Sequence, residues 1–282
     1  MTGIRLGLIG DNIRASRAPA LHRLAGTLCG LDVRYDLLIP AETGLEFDAL
    51  FDRCRAEGLA GLNITLPYKE RAVQRVTIDD PLAARIGAIN TVRFGDDGPR
   101  GFNTDHSGFV AAFRDRLGSL EPGRVALFGA GGVGKAVAFG LVALGAREIR
   151  FIDPDTDKAT ALARAVTAAG GGHTRGVVTG IDGLAGADGV INCTPLGMVG
   201  YGGSPVPQGR FPAAGWAFDA VYTPTDTLFR EQAETAGARF LSGYELFFWQ
   251  GVHAFEIFTG TQPGDLNALR AALAGERTAA DA

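Results

Sequence analysis

Residues 126–137, ALFGAGGVGKAV, restrict the possible fold more than any other stretch of the chain. The apolar run ending at Phe128 reads as a strand, and the segment beyond the glycines reads as a helix. Gly129, Gly131 and Gly134 supply the G-x-G-x-x-G turn between them. With 41 glycines in 282 residues the spacing alone says little, but its place directly after a strand and directly before a helix is specific. The first glycine permits the tight turn, the second lets a diphosphate approach the backbone, and the third lets helix pack on strand. The helix start then offers unpaired N–H groups to the phosphates. Gly129, Ala130, Gly131, Gly132, Val133 and Gly134 are therefore candidate cofactor-binding residues.

The next strand, EIRFID, ends at Asp153, 19 residues beyond Gly134. An acid at that tip hydrogen-bonds the adenosine ribose hydroxyls and repels a 2′-phosphate. Asp155 and Asp157 add negative charge, and no arginine follows closely. The expected cofactor is NAD, with NADP disfavoured. An alternative role for Asp153, compatible with the first, is to cap the helix that follows.

The rest of the chain repeats this rhythm. RLGLIG, VRYDLLIP and GLNITLP read as strands, and a helix opened by Pro19 and the helix GLEFDALFDRCRAE lie between them. AINTVRF and RGFNTD, joined by the turn-rich GDDGP, read as a hairpin. A helix from about Ser107 to Leu117 leads to the turn SLEPG. After the glycine turn come the helix DKATALARAVTAAG, the strands DGVINCT and WAFDAVY, the helix DTLFREQAETAG, the strand ARFL and the helix YELFFWQGVHAFEIFTG. Alternating strands and helices imply an α/β fold with parallel sheets covered on both faces. The tail GERTAADA is expected to fray.

Composition narrows the function classes. A net charge of −4, from 27 basic and 31 acidic residues spread along the chain, gives no nucleic-acid face. No apolar run reaches membrane-spanning length, and the opening segment is too short and wrongly flanked for a signal peptide. Cys29, Cys54 and Cys193 form neither a disulfide framework nor a metal-ligand spacing, which fits a reducing, cytoplasmic compartment. His22, His106, His173 and His253 show no metal-like spacing either, so no metal is expected. The expected partner is a small molecule, bound by a monomer or homodimer.

The stretch GLNITLPYKE stops a strand at Pro67 and places Lys69 just past its end. Strand ends of α/β proteins are where ligands sit. A lysine held out of water needs a partner or loses its proton. Asp105, in GFNTDHSG, is an acid at another segment end, although spacing alone does not show that the two meet.

The motifs NITLPYKE, GAINTV, GFNTD, GAGGVG, NCTPLGM, DAVYTPTDT and YELFFWQGVHAFEIFTG stand in this order along nearly the whole chain. In order and spacing the sequence resembles the shikimate dehydrogenase family, which includes quinate/shikimate dehydrogenases. The resemblance implies NAD(P)-linked oxidation of a ring hydroxyl on a cyclitol carboxylate, with Lys69 and Asp105 as the catalytic pair. It nominates Ser16, Asn63, Thr65, Asn90, Tyr222 and Gln250 as substrate-binding residues, and Thr194 and Met198 beside the nicotinamide. For Asn63 and Asn90 the alternative is that they satisfy strand-end backbone groups. The family's first loop carries Ser-x-Ser, or Ser-x-Thr, before Pro. This chain has Ser16 but Ala18, so one hydrogen bond to the substrate carboxylate is missing. Two α/β domains are expected: residues 1–104 with 240–282 binding substrate, residues 105–239 forming a Rossmann-type doubly wound parallel sheet for NAD, and the active-site cleft between them.

Overall fold

The computed structural model of the chain describes residues 3–276. Of the tail expected to fray, only Gly275 and Glu276 fall within the described residues. The chain forms two compact units. One comprises the residues up to Thr104 and those from Gln250 onward; the other is Asp105–Trp249.

The first unit contains β1 (Ile4–Ile9), α1 (Ala18–Leu28), β2 (Val33–Leu38), α2 (Pro40–Thr43), α3 (Phe47–Ala56), β3 (Gly61–Ile64), α4 (Pro81–Ile86), β4 (Thr91–Gly95) and β5 (Gly98–Phe102). Its sheet has the order β2-β1-β3-β4-β5. β1 runs parallel to both β2 and β3, with Leu8 opposite Leu37 on one side and Asn63 on the other. The expectation of parallel pairing holds for these three strands. The hairpin β4–β5 then adds an antiparallel edge, with Asn63 opposite Thr91 and Thr91 opposite Phe102. In α3, Phe47, Leu50, Phe51 and Cys54 are buried at the i, i+3, i+4, i+7 spacing of a helix with one apolar face. They pack with Ile64, Ile89 and Val92 from the sheet side. Full burial of side chains such as Phe47 and Phe51 contributes about 1.5–3 kcal/mol each.

The second unit opens with α5 (Thr104–Leu117), whose first residue belongs to the other unit. There follow β6 (Arg124–Phe128), α6 (Gly132–Ala143), β7 (Glu148–Ile152), α7 (Thr156–Ala169), β8 (Arg175–Val178), β9 (Gly189–Asn192), β10 (Trp216–Asp219), α8 (Leu228–Thr235), β11 (Arg239–Ser242) and α9 (Gly243–Thr259). The chain passes back to the first unit within α9, at Trp249–Gln250, and ends in α10 (Leu266–Gly275). The six strands are all parallel, in the order β11-β10-β9-β6-β7-β8. From β6 the chain winds outward through β7 and β8, then returns to the other side of β6 with β9. The carboxyl ends of β6 and β9 thus flank the switch point of a doubly wound sheet, where such folds bind ligands. β9 and β10 are buried throughout, as continuous apolar runs predict. Phe109 and Phe113 of α5 meet Phe218 and Trp216 of β10 edge-on, each pair with ring centroids 5.1 Å apart.

β8 is a strand that its sequence, RGVV, did not announce, because its two ends are exposed and only Gly176 and Val177 are partly covered. No helix among the described residues is long and apolar enough to cross a membrane.

Candidate active site

In the first unit, antiparallel pairing brings the start of β4 beside the end of β3, and a polar cluster forms there. Asn63 donates from Nδ2 to the Asn90 carbonyl (3.2 Å) and to Thr91 Oγ1 (3.1 Å), while its Oδ1 accepts from the Tyr35 hydroxyl (2.7 Å). The Asn63 amide is therefore satisfied within the protein, the alternative weighed for it from sequence. Asn90 donates from Nδ2 to Thr104 Oγ1 (2.9 Å) and, over a longer 3.4 Å, to Gln250 Oε1. Its Oδ1 accepts from the Thr104 backbone N–H (2.7 Å). Asn63, Asn90 and Gln250 are thus brought into one neighbourhood, and Thr65 follows β3 directly.

The segment carrying Lys69 is pinned at several points. The Leu66–Pro67 peptide is cis, and Leu66 offers its carbonyl to the Asp11 N–H at 3.2 Å. The Tyr68 ring stacks on Phe47 with centroids 4.9 Å apart, and its hydroxyl donates to Asp11 Oδ1 at 2.6 Å. Burial and that hydrogen bond push the phenol up to about 12. The Lys69 carbonyl accepts from Ile89 N–H at 3.0 Å, and its side chain is half-buried. Neighbouring residues of one turn, Ile89 and Asn90, therefore anchor Lys69 and Thr104, the residue just before Asp105.

Ser16 lies in the loop after β1, where its hydroxyl accepts from the Ala18 N–H at 3.2 Å. Ala18 is buried at the start of α1. Arg17 donates to the backbone carbonyls of Leu273 and Glu276, tying this loop to the end of α10.

In the second unit, the turn between β6 and α6 has the shape its glycines predict. Gly129 has φ +95°, a left-handed conformation that suits glycine. A Cβ on Gly134 would lie 2.0 Å from the Gly129 carbonyl oxygen, so helix and turn touch there. A Cβ on Gly131 would meet nothing within 4 Å, which leaves the backbone facing the open space a diphosphate needs. The turn therefore fits a dinucleotide. Asp153 accepts from the Ala130 N–H (2.6 Å) through Oδ2 and from the Asp155 N–H (2.8 Å) through Oδ1. The helix cap is Asp155, whose carboxylate accepts from the Lys158 N–H; the capping role considered for Asp153 falls to its neighbour.

The loops after β9 and β10 carry the remaining candidates. Thr194 donates its hydroxyl to Asn192 Oδ1 at 2.7 Å, and Met198 sits in the turn Pro195–Tyr201, closed by three backbone bonds. The Tyr222 ring stacks on Phe247 at 5.0 Å. Asp105 is buried in the first turn of α5, where the helix N-terminus favours negative charge. Its charge reaches Cys193: burial, then Asp219, then Asp105 push that thiol well above its usual range. Cys193 is partly enclosed. Lys69, Ser16, Asn63, Thr65, Asn90 and Gln250 belong to the first unit; Asp105, Tyr222 and the cofactor-side residues belong to the second.

Sequence reasoning passed over several participants. Tyr35 lies in no quoted motif, and Thr91 and Thr104 lie inside GAINTV and GFNTD, but only the fold shows what they bond to. Asp219 lies inside the quoted DAVY motif, but only the fold shows it to be fully buried. Among the described residues no group of three or more His, Cys, Asp or Glu side chains is arranged to hold a metal.

The family described as "Shikimate dehydrogenase substrate binding domain" matches residues 8–92. A quinate/shikimate dehydrogenase (NAD(+)) of Corynebacterium efficiens is 38% identical over 278 residues, covering 95% of this chain and 96% of that one. A shikimate dehydrogenase (NADP(+)) of Halorubrum lacusprofundi is also 38% identical, over 96% of this chain and 98% of its own. Among solved structures, a quinate dehydrogenase from Corynebacterium glutamicum in complex with NAD superposes with a TM-score of 0.88 at 34% identity, covering 97% of this chain and 99% of that one. A Thermus thermophilus shikimate 5-dehydrogenase in complex with NADP(H) and shikimate gives 0.84 at 31% identity, covering 96% and 98%.

Proposed function

The chain belongs to the shikimate dehydrogenase family, and we propose that it oxidises a ring hydroxyl of shikimate, quinate or a close cyclitol carboxylate with NAD. The reading of reaction type rests on the anchoring of Lys69 and of the residue before Asp105 by Ile89 and Asn90. When bound, NAD supplies a two-electron hydride acceptor. During oxidation Lys69 Nζ, acting as the neutral amine, would take the proton of the reacting hydroxyl, and in the reverse direction the resulting ammonium would return it. The family resemblance assigns Asp105 as the acid of the catalytic pair with this lysine. Acid–base assistance of this kind contributes about 10²–10⁴-fold in rate.

The remaining ring hydroxyls fall to Thr65, Asn90, Tyr222 and Gln250. At 3.4 Å the Asn90–Gln250 bond is the longest in its cluster, and a ring hydroxyl can replace it, accepting from one amide and donating to the other. Asn63 belongs with them by position, but its satisfied amide fixes the strand ends instead. Ser16 receives the carboxylate alone, since Ala18 offers no hydroxyl.

The preference for NAD rests on Asp153, held at the tip of β7 by the Ala130 N–H, with Asp155 and Asp157 beside it and Lys158 engaged by Asp155 at 3.1 Å. A 2′-phosphate there would meet carboxylates and no arginine fork. Glycine-turn residues 129–134 would cradle the diphosphate, and Thr194 and Met198 would border the nicotinamide. The test is a steady-state panel of shikimate, quinate and aminoshikimate against NAD and NADP, run on the wild type and on Lys69→Ala. The expected result is faster turnover with NAD, and a loss of about 10²-fold or more in kcat for Lys69→Ala with NAD affinity unchanged. An NADP preference refutes the role of Asp153; undiminished turnover in Lys69→Ala refutes the role of the lysine.

A further inference from the structure

We propose that Asp219 is a positioning residue whose buried carboxylate sets the two loops that carry Thr194, Met198 and Tyr222. The proposal rests on the functional reading above for what those loops do, but not for how they are held.

Asp219 ends β10 and is fully buried. Its Oδ1 accepts from Asn192 Nδ2 and from the Val221 N–H, each at 3.0 Å, and its Oδ2 accepts from the Thr227 hydroxyl at 2.6 Å. Each of those donors governs a different segment. Asn192, its register partner at the end of β9, has a second Nδ2 bond to the Leu196 carbonyl (3.0 Å). Through Oδ1 it accepts from the backbone and hydroxyl of Thr194, at 2.9 and 2.7 Å. The turn from Cys193 to Leu196 is thereby folded around one amide that the carboxylate orients. Val221 precedes Tyr222, so its N–H fixes the chain direction into that side chain. Thr227 caps α8 by accepting from the Arg230 N–H at 3.1 Å, which closes the 220–227 loop from its far end.

A carboxylate suits this place because all three incoming groups are donors and only an ionised acid offers acceptors on both oxygens. An aspartate confined to packing has no need of three donors from three segments. Burial holds its carboxyl up, to about 6, and the three hydrogen bonds act against that rise. The groups stabilising the charge are therefore the same ones that define the loops.

The test compares wild type with Asp219→Asn, Thr227→Val and Thr227→Ser, by hydrogen–deuterium exchange of peptides covering 193–198 and 220–227 and by steady-state kinetics. Asp219→Asn turns one acceptor into a donor facing Thr227; Thr227→Val removes the bond to Asp219 together with the cap bond from the Arg230 N–H and leaves the charge; Thr227→Ser keeps the hydroxyl and both bonds. The expected result is faster exchange in both peptides for the first two variants, with peptides of α7 unchanged. In kinetics kcat falls by about tenfold or more while the concentration of folded, NAD-binding sites stays at the wild-type level, the change that loss of one hydrogen bond to a charged group produces. Thr227→Ser behaves as wild type. Unchanged exchange in both loops overturns the proposal, and so does a loss of kcat matched by a loss of folded protein. Should Asp219→Asn fail to fold, Thr227→Val carries the same two readouts. Should the wild type turn over no cyclitol acid, the functional reading fails while the exchange data still decide the positional one.

Discussion

Replacing His22 with Gln should release the first unit from an acid-dependent loss of stability. The ring is 1% exposed, stacked on Tyr35 with centroids 4.8 Å apart and flanked by Phe255 and Phe258. Burial holds its pKa down from 6.5 to about 3, against a smaller opposing pull from the Asn63 side chain. Below pH 6.5 the unfolded chain takes up a proton that the folded chain does not. Stability therefore falls as the pH falls, and the loss is complete near the folded value. The slope is about 1.4 kcal/mol per pH unit, so at pH 5 the ring costs about 2 kcal/mol, a substantial part of the ~5–15 kcal/mol that holds a domain folded. Urea unfolding followed by far-UV circular dichroism at pH 7 and pH 5 gives the quantity directly. The wild type should lose about 2 kcal/mol more than His22→Gln between the two pH values. Asp219 titrates with the opposite sign: its folded value is raised, to about 6, so that it erodes stability as the pH rises through that region. It is present in both chains and cancels in the difference. Equal losses in wild type and variant would refute the assignment of a neutral, buried His22.

The glycine turn and the first loop give two further expectations. Gly134→Ala places a methyl 2.0 Å from the Gly129 carbonyl oxygen and should lower Tm and abolish NAD binding together. Gly131→Ala has room for its methyl in the free protein, so Tm should hold while NAD affinity, measured by calorimetry, falls; an unchanged affinity would mean that the turn does not hold the diphosphate. Ala18→Ser restores a second hydroxyl beside Ser16 and should lower KM for the acid substrate, and a constant KM would show that this loop does not face the carboxylate.

Much of the fold was legible because local signals agreed with one another. The glycine turn, the buried strands β6 and β9 and the amphipathic α3 each declare themselves by period or by punctuation. β8 escaped because two covered positions between exposed ends leave no period to read. In the site, Lys69 and Asp153 were legible as charged residues at strand ends, and Asn90 through the family resemblance. Their partners were not: Tyr35 and Thr91 meet Asn63 only because the register of β2, β1, β3 and β4 puts them there. The Asp153 carboxylate read correctly as a strand-tip acid, yet its bond to Ala130 and the transfer of capping to Asp155 depend on backbone direction after β7. Sequence gives the residue type and the segment end; hydrogen-bond ownership is decided by geometry.

One asparagine also has a topological consequence. Asn90 touches Thr104 and Gln250, the last residue before the chain quits the first unit and the first on its return. Departure and re-entry are thus adjacent, so in chain order Asp105–Trp249 is an insertion within the first unit. A short graft joining Thr104 to Gln250 would excise the insert without asking the remaining sheet to reorganise, which makes the five-stranded body a natural candidate for production as a free-standing miniature.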